Sequence, residues 1–373
     1  MTKKKQNQLT ILIGTGASGG HMFPALSVAK NLRARGVRCV FVVGGGKFTQ
    51  LVEDAGFEMV RLPASALNVR NPIRKLKGLF NLLRAFWRAL RLVQTYTPAA
   101  VFGTGGYATV ALVLAGKISG VPTIIHEQNV LPGRANKFLA RWADKILLTF
   151  SAASGYLNAP AENLYTAGYP LRESIEDGLK NLNNRSQKPL RLLVLGGSQG
   201  SRILSQVLPE AVARLPDTLR KNLFIQHQAR AEDADLVAEN YAKLSLSGTD
   251  MAPFINDMSA ALNAAHVVVS RAGTGAVAEI SVFGRAAIYV PLSLADGHQA
   301  LNAHLPEKAG AAVVLDEPLF TPEALAGHLL NLLEHADVRT SMENAAKNFL
   351  PLDGTKQVAD AVLDMAKSDI MNQ

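Results

Sequence analysis

Two glycine-rich loops carry the residue types that hold phosphate. Gly14-Thr15-Gly16-Ala17-Ser18-Gly19-Gly20-His21 follows the apolar run Leu9 to Ile13, and Gly196-Gly197-Ser198-Gln199-Gly200-Ser201 follows Leu192 to Leu195. Without a Cβ, such a loop lets backbone N–H groups approach a phosphate or sugar, and a helix starting just beyond it adds partial positive charge. A third segment, Ser270-Arg271-Ala272-Gly273-Thr274-Gly275-Ala276-Val277-Ala278-Glu279, has the pattern of a strand end, a small-residue turn and a helix start. Its N–H groups suit a diphosphate. Glu279, a turn or so into that helix, can accept two hydrogen bonds from a ribose diol; without the turn before it, it would be an ordinary exposed helix residue.

Other chemistries fit less well. Gly14-x-Gly16-x-x-Gly19 satisfies the dinucleotide fingerprint, but the next strand ends Phe41-Val42-Val43-Gly44 without the acid that would hold a ribose, and Phe224-Ile225-Gln226-His227 lacks it too. A phosphate loop ending in Gly-Lys-Ser/Thr is absent, as is metal-ligand spacing. Asp233-Ala234-Asp235 matches the loose Asp-x-Asp pattern of metal-dependent sugar transferases but sits in a charged, helix-like run and is expected to be a solvated face. The single cysteine, Cys39, lies in an apolar strand-like run, so a buried thiol in a reducing compartment is expected rather than a nucleophile. Nucleic acid is not expected as a partner, since no recognition motif or aromatic platform accompanies the basic charge.

These loops need elements to position them. Strands are expected at Leu9–Ile13, Cys39–Val43, Ala100–Phe102, Thr123–Ile125 and Lys145–Leu148, then at Leu190–Leu195, Leu223–Gln226, Val267–Ser270, Ala287–Val290 and Ala312–Leu315, with helical patterns between. That alternation predicts two α/β domains with parallel sheets, and 373 residues suffice for two cores. Nearly every unusual cluster follows a strand, the place where open α/β sheets bind ligands. The pattern breaks between Gly168 and Lys188. A final helix is expected over Thr355 to Met371, packing back on the first domain.

Charge is lopsided. Residues 1–100 hold 16 Lys and Arg against 3 Asp and Glu, the remaining 273 residues 23 against 27, which points to an anionic partner at the N-terminal half. Much of the excess falls in Asn71 to Tyr96. As a helix, that stretch puts Arg74, Lys77, Arg84, Arg88 and Arg91 on one side and Leu76, Leu79, Leu83, Phe86, Trp87 and Leu90 on the other. It suits an anionic membrane surface or an ordinary core helix, or both at once, with Leu79, Phe80 and Trp87 meeting lipid. The apolar run after Lys3 to Lys5 is too short for a signal core or a membrane span, so a cytoplasmic location is expected.

Several motifs together resemble the MurG family of UDP-N-acetylglucosamine (UDP-GlcNAc) transferases. They are Gly19-Gly20-His21-Met22-Phe23-Pro24, Gly105-Gly106-Tyr107, His126-Glu127-Gln128-Asn129, Gly168-Tyr169-Pro170-Leu171-Arg172, Gly196 to Arg202, Phe254 to Met258, Arg271 to Glu279, and His298-Gln299 with Asn302, in order over nearly the whole chain. The resemblance implies a GT-B fold, two Rossmann-like domains facing across a cleft. Residues 1–171 would form an acceptor-binding, membrane-facing domain and 172–352 a UDP-GlcNAc domain, with a helix at about 353–373 returning to the first. It implies an inverting transfer of N-acetylglucosamine (GlcNAc) to the C4 hydroxyl of N-acetylmuramic acid (MurNAc) in lipid I, forming lipid II without a cofactor or metal. Ile255 would offer its backbone to uracil and Glu279 would bind ribose. Gly273, Thr274, Gly275, Ala276, Ser198 and Arg172 would meet the diphosphate. Gln299, Asn302 and Asn129 would contact or lie close to GlcNAc, and Ser18, Gly19 and Gly20 would line the site around His21. His21 would act as base or only orient the acceptor; Glu127 is a second base candidate or a brace for its loop. Phe80, Arg84, Trp87 and Arg88, with Leu79, would meet the inner membrane's cytoplasmic face, and other wall-synthesis and division proteins are expected as partners. Two departures stand out: Ala17-Ser18 replaces a commoner Gly-Thr pair, and His298 stands where some members carry glutamine. Another GT-B enzyme, such as a different lipid-sugar transferase or a UDP-GlcNAc epimerase, is the alternative, as is a non-catalytic membrane-associated sugar-nucleotide binder.

Overall fold

The computed structural model describes residues 8–63, 72–182, 185–197, 200–293 and 297–372. The chain divides into two units, residues 1–172 with 353–373, and residues 173–352. Among the described residues the first unit holds a seven-stranded parallel sheet of β1 (Thr10–Thr15), β2 (Arg38–Val43), β3 (Glu58–Arg61), β4 (Ala100–Gly103), β5 (Thr123–Glu127), β6 (Lys145–Leu148) and β7 (Leu164–Thr166), in the order β3-β2-β1-β4-β5-β6-β7. The second holds six parallel strands, β8 (Leu190–Leu195), β9 (Leu223–Gln228), β10 (Gly248–Ala252), β11 (Val267–Ser270), β12 (Ala286–Tyr289) and β13 (Ala312–Val314), in the order β10-β9-β8-β11-β12-β13.

The central strands carry apolar stretches such as Ile11–Ile13 and Leu192–Leu195 because helices cover both sheet faces. β1 is buried at every position, and Ile11 and Ile13 pack with Val28, Ala29 and Leu32 of α1 (Gly19–Ala34). In each sheet the order reverses beside the first strand: β1 lies between β2 and β4, and β8 between β9 and β11. Such a reversal opens a crevice at the strands' carboxyl ends, and the glycine loops after β1 and β8 stand there.

The longest helix, α2 (Pro72–Tyr96), corrects the expected division into apolar and basic sides. Gly78, Ala85, Ala89 and Val93 form its buried stripe, with Ala85, Ala89 and Val93 packed among residues of α3 (Tyr107–Ile118), because small side chains let two helices approach closely. Phe80 (64 % exposed), Leu83 (53 %) and Trp87 (65 %) stay in solvent beside Arg84, Arg88 and Arg91. The side chain of Leu79 lies outside the described residues. No described helix is long and apolar enough to cross a membrane.

Candidate active site

In the first unit, the crevice between β1 and β4 is built around His21. Ser18, with extended backbone at the N-cap of α1, turns its carbonyl to the N–H groups of His21 (3.1 Å) and Met22 (3.0 Å). The first turn of the helix thereby carries the imidazole into a slot between two glycines. A Cβ on Gly16 would stand 2.7 Å from His21 Cδ2, and one on Gly105 2.8 Å from His21 Cε1. Gly105 and Gly106 also adopt φ of +117° and +89°, and a Cβ on Gly106 would meet Gly16 Cα at 2.6 Å. Glycine is required here by both close approach and conformation. Thr104, fully buried, donates to the His21 carbonyl (3.0 Å) and lies 3.0 Å from Thr15 Oγ1, tying the two loops together.

Behind His21 runs a line of hydrogen-bonding groups. His21 Nδ1 is 3.1 Å from Gln128 Oε1. Gln128 Nε2 donates to the His126 carbonyl (3.0 Å) and is 3.1 Å from His126 Nδ1, while His126 Nε2 is 3.0 Å from the Gly168 carbonyl. Burial pushes the His126 pKa down to about 4, outweighing the hydrogen bond to Gly168. Gln128 was not singled out from sequence; its only signal was its place in the His126–Asn129 motif.

Glu127, at the end of β5, is 1 % exposed and enclosed by its own loop. Its Oε1 accepts from the Asn129 backbone N–H (2.8 Å) and side chain (3.3 Å), and its Oε2 from the Gly133 N–H (3.1 Å) and Asn136 Nδ2 (2.9 Å). Both oxygens are thus committed to shaping residues 129–136 and to holding Asn129. Arg172 belongs to this unit as well, with its guanidinium 5.4 Å over the Phe23 ring, which in turn meets Phe48 edge-on at 5.8 Å.

In the second unit the equivalent crevice lies between β8 and β11. Gly197 and Gly200 have φ of +79° and +68°, and a Cβ on Gly196 would strike the Ser201 nitrogen at 2.7 Å. Ser198 lies outside the described residues. The helix α4 (Thr274–Val282) starts directly after β11, with Gly273 at its N-cap and open space over that glycine. Thr274, Gly275 and Ala276 form its first turn, and Glu279 is buried on its second. Asn302, 1 % exposed, donates to Thr274 Oγ1 (3.1 Å) and the Ala272 carbonyl (3.4 Å), so α5 (His298–Lys308) steadies the turn. At the start of α5, Gln299 Oε1 accepts the Leu292 N–H (3.0 Å). Ile255 lines a groove with Phe254, Asn256, Arg191 and Gln226.

Arg271 is a further residue the sequence pattern did not single out. It is buried, and reaches Ser201 Oγ (3.0 Å), the Val290 carbonyl (3.0 Å) and Glu317 (2.6 Å), clamping the glycine loop to the β11 turn. Asp233 of the Asp-x-Asp pattern binds Arg230 at 2.6 and 2.9 Å, and this bond holds its carboxyl below the ordinary range. Among the described residues no cluster of three or more His, Cys, Asp or Glu is arranged to hold a metal.

Residues 11–148 match the glycosyltransferase family 28 N-terminal domain, and residues 191–361 its C-terminal domain. A UDP-N-acetylglucosamine–N-acetylmuramyl-(pentapeptide) pyrophosphoryl-undecaprenol N-acetylglucosamine transferase of Methylobacterium radiotolerans is 40 % identical over 361 residues, covering 96 % of this chain and 98 % of the relative. The protein of the same description from Methylorubrum populi is 39 % identical over 362 residues, covering 95 % and 97 %. The crystal structure of Acinetobacter baumannii MurG superposes with a TM-score of 0.79 at 29 % identity, covering 96 % of this chain and 99 % of that one.

Proposed function

The chain belongs to the MurG family within glycosyltransferase family 28, and we propose that it transfers GlcNAc from UDP-GlcNAc to the C4 hydroxyl of MurNAc in lipid I, giving lipid II with inversion to a β-1,4 linkage. The observation that carries this reading is the pair of switch-point crevices, one built around an imidazole, the other around an open helix N-terminus backed by a buried carboxylate. The second unit holds the donor. The Gly273–Ala276 turn and Ser198 bind the diphosphate, Glu279 the ribose and Ile255 the uracil, with Gln299 and Asn302 near the sugar. The first unit holds the acceptor along Ser18, Gly19 and Gly20, with Asn129 beside GlcNAc.

The hydroxyl oxygen attacks C1, the C1–oxygen bond to the diphosphate breaks, and its electron pair leaves with UDP. Negative charge grows on that diphosphate, so fixed N–H donors at the start of α4 and the Arg172 guanidinium favour the transition state. His21 takes the hydroxyl proton. Glu127, with both oxygens committed, braces the Asn129 loop. The enzyme works on the cytoplasmic face of the inner membrane, reached through Phe80, Trp87, Arg84 and Arg88.

The test is transfer of radiolabelled UDP-GlcNAc to a lipid-linked MurNAc-peptide, with and without EDTA. EDTA-resistant lipid labelling is expected, and His21→Ala should lower turnover by roughly 10²–10⁴-fold with little change in donor affinity. Tight donor binding without transfer would point instead to an epimerase or a different acceptor. Wild-type turnover in His21→Ala would remove His21 as base.

A further inference from the structure

We propose that Gln128 and His126 are positioning residues that hold the neutral His21 imidazole with its proton on Nδ1, leaving the Nε2 lone pair to receive the acceptor's proton. The inference rests on the assignment of His21 as base made above.

The hydrogen-bond line allows one placement of protons. The Gly168 carbonyl only accepts, so His126 Nε2, 3.0 Å away, carries a proton. With its pKa near 4, the buried His126 ring holds a single proton at neutral pH, which makes its Nδ1 an acceptor. Gln128 Nε2, 3.1 Å from that nitrogen and 3.0 Å from the His126 carbonyl, is therefore the donor to both. The reversed amide would set its oxygen against two acceptors. This fixes Oε1 as the Gln128 atom facing His21 Nδ1 at 3.1 Å. An amide oxygen only accepts, so His21 Nδ1 donates and the neutral ring keeps its lone pair on Nε2. Among the described residues His21 Nε2 has no hydrogen-bond partner.

The opposite form is the one a neutral imidazole favours in water, where the proton prefers Nε2. The relay reverses that preference. When the acceptor oxygen bonds to C1 and the electron pair of the broken bond leaves with UDP, the hydroxyl proton passes to Nε2. The imidazolium so formed keeps its Nδ1–H bond to Gln128. Partners of this kind set which ring nitrogen is reactive and how the ring is turned.

The experiment uses the full chain labelled with ¹⁵N-histidine. Long-range ¹H–¹⁵N correlations distinguish the two neutral forms, and the His21 signal is assigned by its loss in His21→Gln. The wild type should show Nδ1–H at His21. Gln128→Met, similar in shape but without the amide, should move His21 toward Nε2–H and lower kcat roughly 10–10²-fold at unchanged UDP-GlcNAc Kd. An Nε2–H form in the wild type overturns the proposal without any variant, and so does wild-type kcat in Gln128→Met. A wild type that shows Nδ1–H yet transfers no sugar would instead overturn the functional reading.

Discussion

His21 is framed by residues that have no side chain to spare. Gly105 is the sharpest instance, because an added methyl would press on the ring at 2.8 Å from a backbone at φ +117°. Gly105→Ala is expected to cost roughly 1–3 kcal/mol of stability and to lower turnover at least ~10-fold while donor affinity holds, as steady-state kinetics and titration of UDP-GlcNAc would report. Loss of donor affinity in step with turnover would contradict it. Glu127→Gln makes a different prediction: an amide NH₂ would face N–H donors in place of a carboxylate oxygen, costing about 1–3 kcal/mol in urea unfolding, and an unchanged midpoint would remove its bracing role. At this scale the sequence showed the glycine clusters and His21, because glycines bunched directly after apolar runs mark turns of close approach. It did not show Gln128 or Arg271, whose partners, His21 and Glu317, lie far off in the chain and meet them only through packing.

Among elements, α2 poses the clearest test. It buries small residues and exposes Phe80, Leu83 and Trp87 next to arginines, which suits an anionic bilayer better than water. Phe138 and Trp142, 46 % and 48 % exposed near Lys137 and Arg141, add a second apolar and basic segment that also packs beside α3. Reversing Arg84 and Arg88 to Glu should weaken binding to phosphatidylserine vesicles by about 2–4 kcal/mol at low salt, with thermal unfolding unaltered because both side chains are exposed. Sedimentation with vesicles would show it, and undiminished binding would discard the surface. The strands missed in the sequence, β3, β7 and β10, are all sheet edges. Edge strands are half solvated, so Glu58 to Arg61 and Gly248 to Ala252 lack the apolar run that marks a central strand. The ten expected strands all formed, three with the expected ends and seven with an end shifted by one or two residues.

For the whole molecule, each unit buries a neutral histidine, and this sets an acid limit. His126 in the first and His227 in the second are both pushed down to about 4 by burial. On unfolding each ring regains its ordinary pKa near 6.5 and takes up a proton below it, so the stability held above that pH drains away as pH falls toward 4. By about pH 5 the loss is about 2 kcal/mol per ring, which urea midpoints at about pH 7.5 and 5 would register; equal midpoints would mean these rings are not held neutral. The first unit has one more peculiarity. Its last helix, α6 (Gly354–Asn372 in the chain, beyond α5), supplies Val358, Ala359, Val362 and Ala366 to the core around α1, and Gly354 sits so close to Tyr169 that a Cβ would reach the Tyr169 oxygen at 2.5 Å. During synthesis the ribosome therefore makes the bulk of the first unit early but withholds the piece that closes its core. The contiguous second unit is complete before the first, so the order of manufacture and the order of completion run in opposite directions, and a nascent chain stalled before residue 353 would present the α1 face to chaperones with its apolar side uncovered.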